Sequence, residues 1–143
     1  MTDVLHLIGD SQPDVEWPDE NSPIYLAGPV SGISEYNAPV FTEARDLLIA
    51  HGYPKVINPV DLSEDYDKFH GIERGSETWQ IYMRIGIKEM AGAGSIILLP
   101  GWAQSRGAMA ELTLATSLQM GVYLMFPKQK LLVQTSRPKK SRH

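Results

Sequence analysis

Glu111 is the residue whose type and setting most suggest chemistry. The spacing predicts a helix from about Gly107 to Met120, closed by Gly121, with Glu111 in its first turn or so and Ala115 and Leu118 at i+4 and i+7. The carboxylate then lies on the stripe that should face inward, where a charge is costly without a purpose. A place near a helix N-terminus favours the ionised form and so a competent nucleophile; the plainer alternative is an acidic residue answering the helix dipole. Just upstream are Pro100-Gly101-Trp102 and Ser105-Arg106-Gly107. Amides at a helix start beside a hydroxyl suit an anion such as a 5′-phosphate, although Ser105 could equally serve as a cap. Arg106 could pair with the same anion or stay solvated, and Trp102 could stack on a base or plug the end of a strand. A third group is Gly28, Pro29, Ser31 and Gly32, with Asn37 at the end of the loop and Tyr25 on the segment before it. The glycines allow close backbone approach to a ligand, but ordinary turns carry the same residues.

Other chemistries lack their residues. There is no GxxxxGK loop, no GxGxxG after a predicted strand and no HExxH. The four histidines at 6, 51, 70 and 143 are scattered, so no metal site and no cofactor are expected. The chain has no cysteine, which removes disulfides and thiolate chemistry and fits a reducing, cytoplasmic setting. A net charge of -4 gives no electrostatic case for a nucleic-acid polymer. The basic run from Arg137 to Arg142 reads as a solvated tail. Neither a secretory leader nor a membrane-spanning stretch is visible, so no membrane partner is expected.

The elements that must position these residues follow from 143 residues, 43% apolar, which is one domain's worth. Residues 1–22 read as an appendage or linker in which Val4 to Ile8 could form a short strand; 23–135 form the domain, and 136–143 the basic tail. Strands are predicted at Ile24–Ala27, Lys55–Asn58, Ser95–Leu99 and Val122–Phe126, with a possible further one at Leu131–Gln134. Helices are predicted at Pro39–His51, capped by Asn37 and stopped by Gly52, and at Glu77–Ala91, with Trp79, Met83, Ile87 and Met90 inward. Residues 60–75 are polar and read as a mobile excursion. The order β-α-β-α-β-α-β predicts an α/β fold, a small Rossmann-like or flavodoxin-like three-layer sandwich around a parallel sheet. Ligands bind such folds outside the carboxyl ends of the strands, where the loops after Ala27, Asn58 and Leu99 lie.

The phrases Ile24-Tyr-Leu-Ala-Gly-Pro-Val-Ser-Gly32, Val56-Ile-Asn-Pro59, Tyr82-Met-Arg84 and Leu98-Leu-Pro-Gly-Trp102, followed by Ser105-Arg-Gly-Ala and Glu111, span about residues 23–127. Together they resemble the phage- and prophage-associated branch of the nucleoside 2-deoxyribosyltransferase-like superfamily, usually carried as a domain of unknown function. The chain is more distantly similar to the 2′-deoxynucleoside 5′-phosphate N-hydrolases. The resemblance implies a small nucleoside or nucleotide as partner, a homo-oligomer, and a location in the cytoplasm, that of the host if the protein is phage-encoded. It also implies that Glu111 attacks the anomeric carbon of an N-glycoside, that Ser105 contacts a 5′-phosphate, and that Tyr25 and the Gly28–Gly32 turn belong to the site. A retaining displacement through a glycosyl-enzyme ester would follow, with an acid to protonate the leaving base. The family usually places aspartates for this region where this chain has Gly86 and Gly94. Gly86 costs its helix about 1 kcal/mol relative to alanine, so something other than helix propensity holds it there. Either Glu89 or a carboxylate among Asp61, Asp67, Glu73 and Glu77 takes the part of acid, or the base leaves without strong acid help. Otherwise the protein keeps the pocket as a non-catalytic nucleotide-binding or sensing module.

Overall fold

The computed structural model describes residues 4–9 and 15–136. The strands are β1 (His6–Gly9), β2 (Ile24–Ala27), β3 (Val56–Ile57), β4 (Ser95–Leu98), β5 (Gly121–Phe126) and β6 (Leu131–Ser136). The helices are α1 (Ala38–His51), α2 (Pro59–His70), α3 (Trp79–Met90) and α4 (Arg106–Ser117). One six-stranded sheet has the order β1-β6-β5-β4-β2-β3. Every pairing is parallel except β5 with β6, so the central sheet is parallel as expected, with one antiparallel pair toward its edge. Only a short 3₁₀ turn, Pro127–Gln129, joins β5 to β6, and a connection that short can only return antiparallel.

The alternating side chains of β2 divide the interior in two. Ile24 and Leu26 pack with Phe41, Ala44 and Leu48 of α1 on one face. Tyr25 and Ala27 turn to the other face, with Met90 of α3 and Ala108 and Ala115 of α4. This is the three-layer sandwich expected from the sequence. The chain leaves β2 for β3 on one side and returns to β4 on the other, so the carboxyl ends of β2 and β4 flank a topological switch point, where a crevice opens in such sheets.

Three sequence expectations need correction. Residues 60–75 are no mobile excursion: 59–70 form α2, whose start is fixed by Asn58 accepting from the Val60 amide at 3.0 Å and by Pro59 in the first turn. Gly71, at φ +62°, ends it. Residues 4–9 are more than an appendage, because β1, near the short strand expected at Val4 to Ile8, pairs with β6 and Leu5 is buried in the core. Further along, the Tyr53 hydroxyl donates to the Pro18 carbonyl at 2.8 Å. Finally, α4 ends at Ser117, before a left-handed Gln119 at φ +59°, and Gly121 opens β5 instead of stopping the helix. The expected basic tail beyond Ser136 lies outside the described residues. Among the described residues no helix is long and apolar enough to cross a membrane.

Candidate active site

A cavity of about 680 Å³ opens at the switch point, with Tyr25 and Glu111 among its lining residues. Tyr25 comes from the middle of β2 and is fully buried, its ring directed toward the α3–α4 layer. Glu111 is on the buried side of α4 with Ala108 and Ala115 and is 6% exposed. The inward stripe holds as far as Ala115; Leu118 has left the helix and is 50% exposed. The Tyr25 hydroxyl donates to Oε2 of Glu111, and among the described residues this is the one hydrogen bond the carboxylate makes.

Glu111 is the sixth residue of α4, in its second turn, so the first-turn dipole argument for an ionised carboxylate does not apply. Burial dominates and pushes the carboxyl up to about 7, against the Tyr25 hydrogen bond, which lowers it. Burial also raises the Tyr25 hydroxyl well above its ordinary range, and the Glu111 charge and hydrogen bond raise it further. Tyr25 therefore keeps its proton and holds one carboxylate oxygen in place.

Gly86 is explained by the same pair. A Cβ on Gly86 would clash with the Tyr25 hydroxyl and stand 3.3 Å from Oε2 of Glu111. The phenol occupies the space that a side chain at 86 would need, which is why α3 tolerates a glycine in its interior. Gly94 is excluded from bearing a side chain in the same way, its Cβ position lying 2.7 Å from Cβ of Ser22.

Around this floor, Gly28, Pro29, Val30, Ser31, Ile33 and Tyr36 form one rim. Gly28 and Gly101 let the loops after β2 and β4 meet: a Cβ on Gly28 would be 3.1 Å from Cβ of Leu99, and one on Gly101 3.1 Å from Cγ of Pro29. Gln104, Ser105, Arg106, Gly107 and Ala108 bring the start of α4 to the cavity. Ser105 caps the helix, accepting from the Ala108 amide at 3.1 Å, and also lines the cavity, so the two readings of it are compatible. The first amides of α4 have no intrahelical partner. Arg106 stacks on Trp79, its guanidinium carbon 3.9 Å from the ring centroid, and among the described residues no carboxylate pairs with it.

The far wall comes from α2, α3 and the loop between them. Asp67, 2% exposed, accepts from the Tyr82 hydroxyl at 2.7 Å and from the Gly75 amide at 2.9 Å, one on each oxygen. Glu77 accepts from the Thr78 amide at 3.1 Å and from the Tyr66 hydroxyl at 3.3 Å, again one on each. Across the mouth, the Tyr36 hydroxyl donates to the Arg74 carbonyl at 3.2 Å, and the Arg74 guanidinium lies over the Tyr36 ring. Tyr36 sits in a run of left-handed residues, Glu35, Tyr36 and Asn37, with φ from +54° to +61°; such backbone is disfavoured for side-chain-bearing residues and persists where its surroundings impose it.

Several expected site residues are elsewhere. Glu89 is exposed and does not line the cavity, because one turn along α3 from Gly86 it is rotated off the inner face. Asp61 pairs with Arg45 at 2.9 Å, and Glu73 is exposed outside the cavity. Trp102 packs against the α3–α4 core and is no lining residue; Trp79, read as a core residue of α3, provides the indole at the site instead. Asn37 is buried and donates to the Pro29 carbonyl at 2.9 Å. It therefore braces the rim without touching the cavity, and its side chain makes no capping bond. Gly32, at φ +76°, serves the turn and is likewise outside the lining. Sequence reasoning missed Tyr36, Trp79 and Tyr82 as lining residues. The Asn58-Pro59 start and Gly71 end of α2 were the available signal that this region is ordered. Among the described residues no group of three or more His, Asp or Glu is gathered to hold a metal ion.

Residues 22–124 match the model of the Domain of unknown function (DUF4406), and the chain belongs to that family. No curated protein and no solved structure matches it.

Proposed function

We propose that this protein cleaves the N-glycosidic bond of a nucleoside or nucleoside 5′-monophosphate, as a hydrolase or a deoxyribosyltransferase, with Glu111 as nucleophile. The observation that carries the reading is a buried carboxylate facing a cavity with one oxygen held by Tyr25 and the other uncommitted. Glu111 Oε1 attacks the anomeric carbon as the bond to the base breaks, and the desolvated carboxylate stabilises the oxocarbenium-like charge. Water then releases the sugar, or a second base accepts it. Ser105, Arg106 and the first amides of α4 suit a 5′-phosphate, and the cavity is large enough for a nucleotide. The resemblance to nucleoside 2-deoxyribosyltransferases supports the same assignment.

One observation favours a second reading, a binding or sensing module without turnover: position 86 is a glycine, where the nucleoside 2-deoxyribosyltransferase-like proteins that the chain resembles usually carry an acid. Deoxynucleosides, ribonucleosides and their 5′-monophosphates, neutral and N7-methylated, incubated with the protein and with Glu111→Gln, separate the two. Base released by the native protein and not by the variant is the expected result. Calorimetric binding with no release from any substrate would establish the module instead.

A further inference from the structure

The proton inventory of the cavity narrows the substrate, on the reading that Glu111 is the nucleophile of an N-glycosidase. A neutral base leaves as an anion unless a group on the protein gives it a proton. Position 86 has no side chain, and the Tyr25 hydroxyl fills its place while donating to Glu111. The other tyrosine protons are engaged as well: Tyr36 donates to the Arg74 carbonyl and Tyr82 to Asp67. Asp67 and Glu77 each accept a hydrogen bond on both oxygens. Glu64 is engaged on both sides too, by Lys68 at 3.3 Å and Arg74 at 3.5 Å. Every carboxylate of the wall is thus arranged as an acceptor, and none presents a proton to a leaving group.

The charges are also sorted. Arg106, unpaired among the described residues, stands at the start of α4. Asp67 and Glu77 stand on the α2–α3 wall with Tyr82, while the other lining cation, Arg74, is paired with Glu64 and lies over the Tyr36 ring. We infer that the substrate is an N-glycoside whose base is a quaternised, cationic heterocycle, its phosphate toward Arg106 and its cationic ring toward the wall. Such a base needs no acid. As Glu111 bonds to the anomeric carbon, the C–N electron pair returns to the ring nitrogen and cancels its charge, so the base departs neutral. Water then adds to the anomeric carbon, Glu111 leaves as carboxylate, and one proton passes to solvent in each turnover. Hydrolysis of a neutral nucleoside releases none, since that proton ends on the base.

Matched probes test this: 7-methylguanosine 5′-monophosphate against guanosine 5′-monophosphate, the 2′-deoxy pair, and nicotinamide mononucleotide. Base release is followed by chromatography and proton release by pH-stat, with Glu111→Gln subtracted as background. The expected kcat/KM ratio of methylated to unmethylated substrate is about 100 or more, the usual scale of a missing general acid, with one proton per base released. Equal turnover of the unmethylated substrates would overturn the inference and leave the N-glycosidase reading standing, whereas release from no substrate would overturn both. The variant Glu77→Gln should raise KM for the cationic probe about three- to ten-fold, as loss of one nearby charge would; an unchanged KM would overturn the assignment of the wall to the cationic ring.

Discussion

Two tyrosine–carboxylate pairs face the same cavity and serve different ends. On the floor, Tyr25 donates to Glu111, and among the described residues the carboxylate has no other donor. On the wall, Tyr82 donates to Asp67, which also holds the Gly75 amide, while the Tyr82 oxygen accepts from the Glu77 amide at 3.0 Å. Both carboxylates are buried. The difference lies in the number of donors. Asp67 has both oxygens occupied and works as a brace for the α2–α3 loop. Glu111 retains an oxygen for a ligand, and its under-solvated charge is what burial makes costly. Burial alone therefore does not mark a reactive carboxylate; incomplete satisfaction inside a cavity does.

The largest expected effect follows from removing the reactive member. Glu111→Gln should lower base release by about a thousand-fold or more, the scale seen when a nucleophile is lost. The fold should survive, because the amide carbonyl still accepts from Tyr25; circular dichroism and kcat together test this. In the native protein kcat should rise with pH through about 7 as Glu111 ionises.

Stability should move the opposite way. The Glu111 carboxyl titrates near 4.5 when unfolded and at about 7 when folded, so between these values the native state holds the extra proton. Its contribution is complete below about 4.5 and is lost as pH rises to about 7, on the order of 3 kcal/mol in all. Denaturant titrations at several pH values should show this decline in the native protein and its absence in Glu111→Gln.

Gly86→Ala tests the packing beneath the floor. The new methyl group meets the Tyr25 hydroxyl, so the variant should lose about 1–3 kcal/mol through overpacking. In a Tyr25→Phe background the penalty should shrink by about 1 kcal/mol or more, read as the coupling energy of a double-mutant cycle. Additive effects would mean that the phenol does not occupy that space. On the wall, Asp67→Ala strands the Tyr82 hydroxyl and the Gly75 amide and should cost about 1–3 kcal/mol. Hydrogen exchange should quicken at residues 74–78 ahead of the sheet, sharpening the contrast between brace and nucleophile.

The smallest effect is at the start of α4. Ser105→Ala should lose about 1 kcal/mol through the missing cap, seen in the denaturation midpoint. A further rise in KM for a 5′-monophosphate, without one for the nucleoside, would mark a ligand contact beyond the cap.

The sequence alone determined the alternation of β2, α1, β3, α3, β4, α4 and β5, the apolar face of α1 and that of α4 as far as Ala115, and Glu111 as the carboxylate out of keeping with its stripe. These depend on local periodicity, which the chain carries within a turn or two of each residue. It also marked Gly86 as anomalous, because helix propensity is a local quantity. Only the tertiary structure decided why that glycine is there, since its cause, the Tyr25 hydroxyl, comes from a strand 61 positions away in the sequence. The ordering of α2 was legible in part from Asn58, Pro59 and Gly71, but its polar surface hid the helix because α2 buries little apolar area and is held by Asp67, Tyr82 and Gly75 across a loop. The exchange of Trp102 for Trp79 at the cavity, and the rotation of Glu89 away from it, depend on where packed helices point their side chains, which is set by the neighbours each face meets and not by the spacing within any one segment.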